Sequence, residues 1–206
     1  MPVKTNPAPS HLNGDIPVGR MRKFTVDEYH SMAKAGVFKD GDPFELLEGW
    51  IVRKMTRNVP HDQAIELVDE QFSPLLPTGW RLRIQCAITT EDSEPEPDVG
   101  VIRGGPRSRP GRHPGPQDIA MLVEVADASL EQDRGPKARI YARAGIGIYW
   151  IVNLVDSQVE VYTEPTGRRN QQPRYRRQTI YGINDSVPLF IEGKEIGRIA
   201  VRDMLP

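Results

Sequence analysis

Ile119-Ala-Met-Leu-Val-Glu124-Val-Ala126 is an unbroken apolar run with a single carboxylate set near its end. Its aliphatic residues do not alternate with polar ones, so the run predicts a central strand buried on both faces. A charged side chain there is costly unless a metal, a lysine or a set of donors pairs with it. Glu124 therefore marks the strand's exit into solvent, a structural pair with an arginine, or a site. Which of these holds depends on what the rest of the chain brings to it.

Upstream, Pro97-Asp98-Val-Gly-Val-Ile102 predicts a short strand opened by an acid, and Trp80 to Ile88 alternates as another. The segment from Arg103 to Pro116 has turn chemistry throughout. An amphipathic helix follows Pro60, with Ala64, Ile65, Val68, Phe72 and Leu75 on one side, and is closed by Pro77 and Gly79. Phe44 to Met55 predicts two short strands turning near Glu48-Gly49, or one strand bulged there. Thr25 and Glu28 form the pattern of a capping box, and Gly36 is a matching helix stop. Residues 1 to 22, with prolines spread through them and little to bury, are expected to be a flexible leader. Residues 23 to 206 are expected to form one domain.

Downstream, Asp133 to Ala144 has helical character, although Gly135-Pro136 implies an irregular first turn or a helix that starts at Pro136. Ile148 to Val152 is an apolar strand, joined through Asp156-Ser157 to Gln158 to Tyr162 as a hairpin. Arg174 to Tyr181 and, more weakly, Pro188 to Ile191 alternate. Runs of adjacent strands mixed with helices give an α/β (α+β mixed) class.

The chain has 206 residues, 27 basic and 28 acidic, for a formal net charge of −1. That balance provides no global attraction to nucleic acid, so any such contact must be local. The lone Cys86 excludes an intramolecular disulfide and a thiolate zinc site and fits a reducing compartment. No apolar run approaches the roughly 20 residues of a membrane span. A cytoplasmic protein, with no membrane partner, is the expectation.

Three chemistry-bearing residues then line up in order. Asp98 opens one strand, Glu124 ends the buried one, and Lys137 lies on the helix after it, one turn before Tyr141. Two carboxylates on neighbouring strands make a hard-oxygen site suited to Mg²⁺ or Mn²⁺. With a lysine beside it, such a site has the parts needed for phosphodiester hydrolysis: a Lewis acid, an activated water and a cation for the transition state.

The ordered set Glu48-Gly49, His61, Ser93-Glu-Pro-Glu-Pro97-Asp98, Val123-Glu124-Val125, Ser129, Asp133-Arg134, Lys137, Tyr141, Gly145 and Tyr149-Trp150 resembles the Uma2 family, also called DUF820. That family belongs to the PD-(D/E)xK restriction-endonuclease-like superfamily. The resemblance covers roughly residues 22 to 165. It implies a restriction-endonuclease-like core, a central mixed β-sheet flanked by helices with additional hairpins, and a metal site at one edge. It also implies that Asp98 is the Asp of the PD motif and Glu124 the acid of the second motif. Val125 would add its main-chain carbonyl as a metal ligand, and Glu48 would be an additional upstream acid. Two departures stand out. The position two after Glu124 is Ala126, so the lysine would come from the following helix as Lys137. Ile148 stands before Tyr149-Trp150, where the family has glutamate.

The expected activity is that of a metal-dependent endonuclease acting on DNA, with Asp98, Glu124, Lys137 and Glu48 as its catalytic set. A catalytically inactive binding module on the same fold is the other class. Arg103, Arg107, Arg109 and Arg112 form a basic segment open to two readings, phosphate contact or a solvated loop. His61, at a helix start, could serve phosphate or metal, or be structural. A homodimer is compatible with a double-strand nuclease, though no residue demands it.

Overall fold

A computed structural model describes residues 21–39 and 41–206. The expected leader, apart from its last two residues, lies outside the described residues. The elements are α1 (Val26–Lys34), the hairpin β1 (Phe44–Leu47) and β2 (Trp50–Arg53), α2 (Val59–Phe72), β3 (Trp80–Ile84), β4 (Val99–Arg103) and β5 (Ile119–Ala126). A short α3 (Leu130–Gln132) runs through a π-helical turn (Asp133–Lys137) into α4 (Ala138–Ala144). The chain ends in β6 (Ile148–Asn153), β7 (Gln158–Pro165), β8 (Tyr175–Gly182), β9 (Ser186–Ile191) and β10 (Lys194–Ala200).

Strands β3 to β8 form a six-stranded sheet in sequence order, antiparallel except where β5 and β6 run parallel. The parallel step needs a crossover, and the α3–π–α4 segment is that crossover. The apolar run around Glu124 is the interior strand β5, with β4 and β6 on either side and nearly every residue buried. The class is thus the mixed α+β arrangement read from the sequence, with β1–β2 and β9–β10 as separate hairpins.

Strand periodicity divides β5 between two cores. Met121, Val123 and Val125 face one side, where Ala64, Ile65, Val68 and Phe72 of α2 and Val187, Leu189 and Ile199 of the C-terminal hairpin meet them. Leu122 and Ala126 face the other side with Ala138, Ile140 and Tyr141 of the crossover helix. Glu124 shares this second parity, so it points toward α4. A register shift between Val101 and Ile102 lets Ile119 and Leu122 share one face despite their odd spacing.

Several local expectations meet refinements. Thr25 and Glu28 make the reciprocal capping box of α1. Asn58 caps α2, its side chain accepting from the His61 N–H, with Pro60 in the first turn. The strand predicted over 80–88 stops at Ile84 because Gln85 adopts a φ of +48°. The irregularity foreseen at Gly135-Pro136 is the π turn: Pro136 has no N–H to give an α-helical ladder. Strand β10, with exposed or half-buried residues at most positions, has no alternation strong enough to have predicted it.

Candidate active site

Strand pairing brings the two acids together. Val99 is opposite Val123 in the antiparallel β4–β5 ladder, so Asp98 and Glu124 are adjacent just beyond it. Val125 donates its N–H to Asp98 Oδ2 at 2.9 Å, and the Asp98 N–H reaches Glu124 Oε2 at 3.3 Å. Each acid is thereby fixed by the other's strand.

The crossover delivers the lysine. Lys137 Nζ is 2.9 Å from Glu124 Oε1 and 3.7 Å from Asp133 Oδ1. In the π turn the chain widens, so Asp133 and Lys137 both turn inward and are buried. Tyr141, one turn further on, donates its hydroxyl to Glu124 Oε1 at 2.6 Å. Ser129 donates to Asp133 Oδ2 at 2.6 Å, and Tyr149 donates to the Asp133 carbonyl at 3.1 Å.

His61, at the start of α2, places Nε2 3.3 Å from Asp98 Oδ2. Asp98, Glu124, Lys137 and His61 line one cavity of about 520 Å³, together with Glu45, Gln85, Arg57 and Asn58.

Glu48 is elsewhere. It occupies the left-handed first position of a two-residue turn with Gly49 (φ +51° and +82°) between β1 and β2. Arg139 grips its carboxylate through two donors at 2.8 and 2.6 Å, and Arg143 adds a third at 3.0 Å. Gly49 is also sterically required, since a Cβ there would stand 2.8 Å from Lys23 Cβ. The upstream acid of the cavity is Glu45, 2 % exposed, which accepts from the Glu96 N–H at 3.2 Å and from Gln132 at 3.3 Å. Glu45 carries the same sequence signal as Glu124, a carboxylate set among apolar residues of a strand, between Phe44 and Leu46.

The arginine segment also stands apart from the acids. Arg103 closes β4 at the end opposite Asp98, roughly 17 Å along the strand. It pairs with Glu192 and lies over Trp80, while Arg112 pairs with Asp118 at 2.6 Å. Arg109 is buried and donates to the Arg103 carbonyl, and Arg107 is exposed on a single 3₁₀ turn. Sequence adjacency to the Asp98 strand suggests a place beside the site; antiparallel pairing carries the segment to the far end. Ile148, where the family resemblance has glutamate, is likewise remote. Glu124 is level with Ile151, three positions along β6, and Ile148 joins the α2-side core.

The electrostatics are those of a site short of positive charge. Glu45, Asp98, Glu124 and Asp133 share one buried lysine. Burial pushes Glu124 well above the usual carboxylate range, with Asp133 and Asp98 adding to the effect and Lys137 opposing it. Burial alone would depress Lys137, but Glu124, Glu45, Asp133 and Asp98 more than offset that and hold the ammonium charged. Asp98 is also disfavoured by burial, yet the hydrogen bond from His61 and the charges of His61 and Lys137 keep its carboxyl below the usual range.

Among the described residues, no three His, Cys, Asp or Glu side chains form a ready-made metal cage. The donor set suits a smaller claim. Two adjacent carboxylates, a neighbouring main-chain carbonyl at Val125 and an open, polar cavity match a hard cation that keeps several waters. A divalent ion would supply the charge that this cluster lacks.

Comparisons with known proteins bear on the family and the fold. The family model Uma2, described as "Putative restriction endonuclease", matches residues 26–192. Among solved structures, the chain is similar to one described as a "putative nuclease belonging to DUF820" from Anabaena variabilis ATCC 29413. The two are 14 % identical, with a TM-score of 0.63 over 88 % of this chain and 97 % of that one. At that identity the likeness concerns the fold. No curated protein matches the chain. Among the described residues, no helix is long and apolar enough to cross a membrane.

Proposed function

The chain belongs to the Uma2 family, and from that premise we propose that it is a metal-dependent endonuclease hydrolysing phosphodiester bonds in DNA. The observation that carries the reading is the joining of Asp98 and Glu124 across β4 and β5, with Lys137 Nζ 2.9 Å from Glu124. Asp98, Glu124 and the Val125 carbonyl would hold Mg²⁺ or Mn²⁺. Such an ion supplies Lewis acidity and a more acidic bound water.

The chain's own residues do the rest. Lys137 stays protonated, so it acts as a donor and not as a base. It orients the attacking water and stabilises the charge that builds on the phosphoryl oxygens. Glu124 is held in one rotamer by Tyr141 and Lys137, and Asp98 is held by the Val125 N–H and His61. Glu45 completes the acidic wall of the cavity.

Thermal melting with and without Mn²⁺, at fixed ionic strength, tests the metal site. At a hundred times the dissociation constant, binding stabilises the wild type by about 2.7 kcal/mol. Asp98→Ala is expected to fold, to lose that stabilisation, and to lose Mn²⁺-dependent nicking of plasmid DNA. Full metal-dependent cleavage by Asp98→Ala would sink the assignment.

A further inference from the structure

The inner wall of the cavity is acidic, whereas its mouth mixes charges: Asp127 accepts from Asn58 at 2.6 Å and Glu96 takes Lys54, beside two arginines. Arg53, at the end of β2, and Lys54, Arg57 and Asn58, on the connection to α2, line the entrance. Lys54 is engaged with Glu96 at 2.5 Å. Arg53 and Arg57 are exposed, and among the described residues no carboxylate pairs with either.

Arg57 is nevertheless held in place. Its guanidinium donates to Gln85 Oε1, and Gln85 Nε2 faces Asp98 Oδ1 at 3.5 Å. The backbone of Gln85 is fixed by its N–H, which donates to the Asp98 carbonyl at 2.9 Å. Its φ of +48° is a conformation that residues with a Cβ rarely adopt. That turn ends β3 and leaves the Gln85 side chain between Arg57 and Asp98. A guanidinium on an exposed residue is thus tethered one side chain away from a site carboxylate.

An anionic ligand approaching Glu45, Asp98 and Glu124 meets repulsion, so cations are most useful where it enters. A planar fork of donors matches a phosphate edge better than a point charge does. We propose that Arg57, with Arg53, forms a phosphate subsite at the cavity mouth that grips the phosphodiester next to the one cut. Gln85 is its positioning residue. The subsite rests on the nuclease reading and gives the β2–α2 connection the phosphate contact that was one of two readings of the 103–112 segment.

The test is fluorescence anisotropy of labelled DNA, a single strand of about 20 nucleotides and the matching duplex, titrated with full-length protein in chelator at several salt concentrations. Each lost phosphate contact lowers the slope of log affinity against log salt by about one unit. Arg57→Ala is expected to weaken binding and to cut the slope by about one; Arg57→Lys keeps most of the slope. Gln85→Ala is expected to weaken binding less than Arg57→Ala, because it removes the tether and not the charge. Arg107→Ala and Arg112→Ala leave the slope unchanged. Wild-type slope in Arg57→Ala, at unchanged melting temperature, would overturn the subsite while leaving the nuclease reading intact. No salt-dependent DNA binding by the wild type would overturn the subsite; the nuclease reading falls separately, on absent Mn²⁺-dependent cleavage of plasmid DNA.

Discussion

Tyr141 illustrates how a single hydroxyl can govern the site. It is fully buried, and its hydrogen bond ends on the same Glu124 oxygen that meets Lys137. Removing the hydroxyl leaves the ring and its packing against Tyr149, whose centroid is 5.0 Å away. Tyr141→Phe is therefore expected to fold, at a cost of about 1–2 kcal/mol for the lost buried bond. Residues that orient metal-binding carboxylates change affinity or activity by about tenfold to a hundredfold when removed. Mn²⁺ titration of the variant, alongside its cleavage rate, reads that loss; wild-type values for both would show that Lys137 and the Asp98 N–H orient Glu124 without the hydroxyl.

At the scale of elements, the β1–β2 hairpin is locked to α4 by charge. Glu48 binds Arg139 and Arg143, and Arg143 reaches on to Asp92 at 2.8 Å. The carboxylate is only partly shielded, so its pairs are worth less than buried ones. The hairpin also carries Glu45 into the cavity. Glu48→Ala is expected to destabilise the chain by about 1 kcal/mol and to loosen the hairpin, with faster amide exchange at Leu46 and Leu47 as the readout. Unchanged exchange there would mean that the hairpin's backbone bonds to residues 92–94 hold it without the arginines.

Elements also divide the legible from the illegible. Strand β5, the capped α1 and the amphipathic α2 were readable because apolar period and capping chemistry are local signals. Asp98, Glu124 and Lys137 were readable as a set because their order along strand, strand and helix is itself a pattern. Glu48 was expected near the site from the resemblance alone; the hairpin turn carries it to Arg139 and Arg143, while Glu45, on the other side of Leu46 and Leu47, lines the cavity. The arginine segment was misplaced because sequence adjacency to β4 does not say at which end of the sheet a loop emerges.

For the whole molecule, Glu160 makes stability sensitive to acid outside the cavity. Glu160, fully buried on β7, is the hub of Arg134, Asn153, Tyr162 and Gln178. Burial would raise its pKa, but the donors from Arg134, Tyr162 and Asn153 prevail and hold it at about 2. A depressed folded value means that the stabilisation is complete above the ordinary carboxyl pKa of 4.5 and is lost as pH falls from there toward about 2. The difference corresponds to about 3 kcal/mol. Urea unfolding of wild type and Glu160→Gln across that window should show the stability gap narrowing as pH falls. A gap that stays constant would assign the network's contribution to packing.

Ala126 carries a consequence for how such a site can change over generations. It is fully buried in one cluster with Ala138 and Tyr141, two positions after Glu124 on the same face of β5. A lysine placed there while Lys137 remains would have to push α4 off the sheet, and overpacking of that kind is destabilising. A chain with neither lysine would leave Glu124 buried without its cation. Exchanging Lys137 for a lysine at position 126 one substitution at a time therefore passes through either an overpacked strand or a buried Glu124 without its cation, and the packing beneath α4 favours the ammonium where it stands.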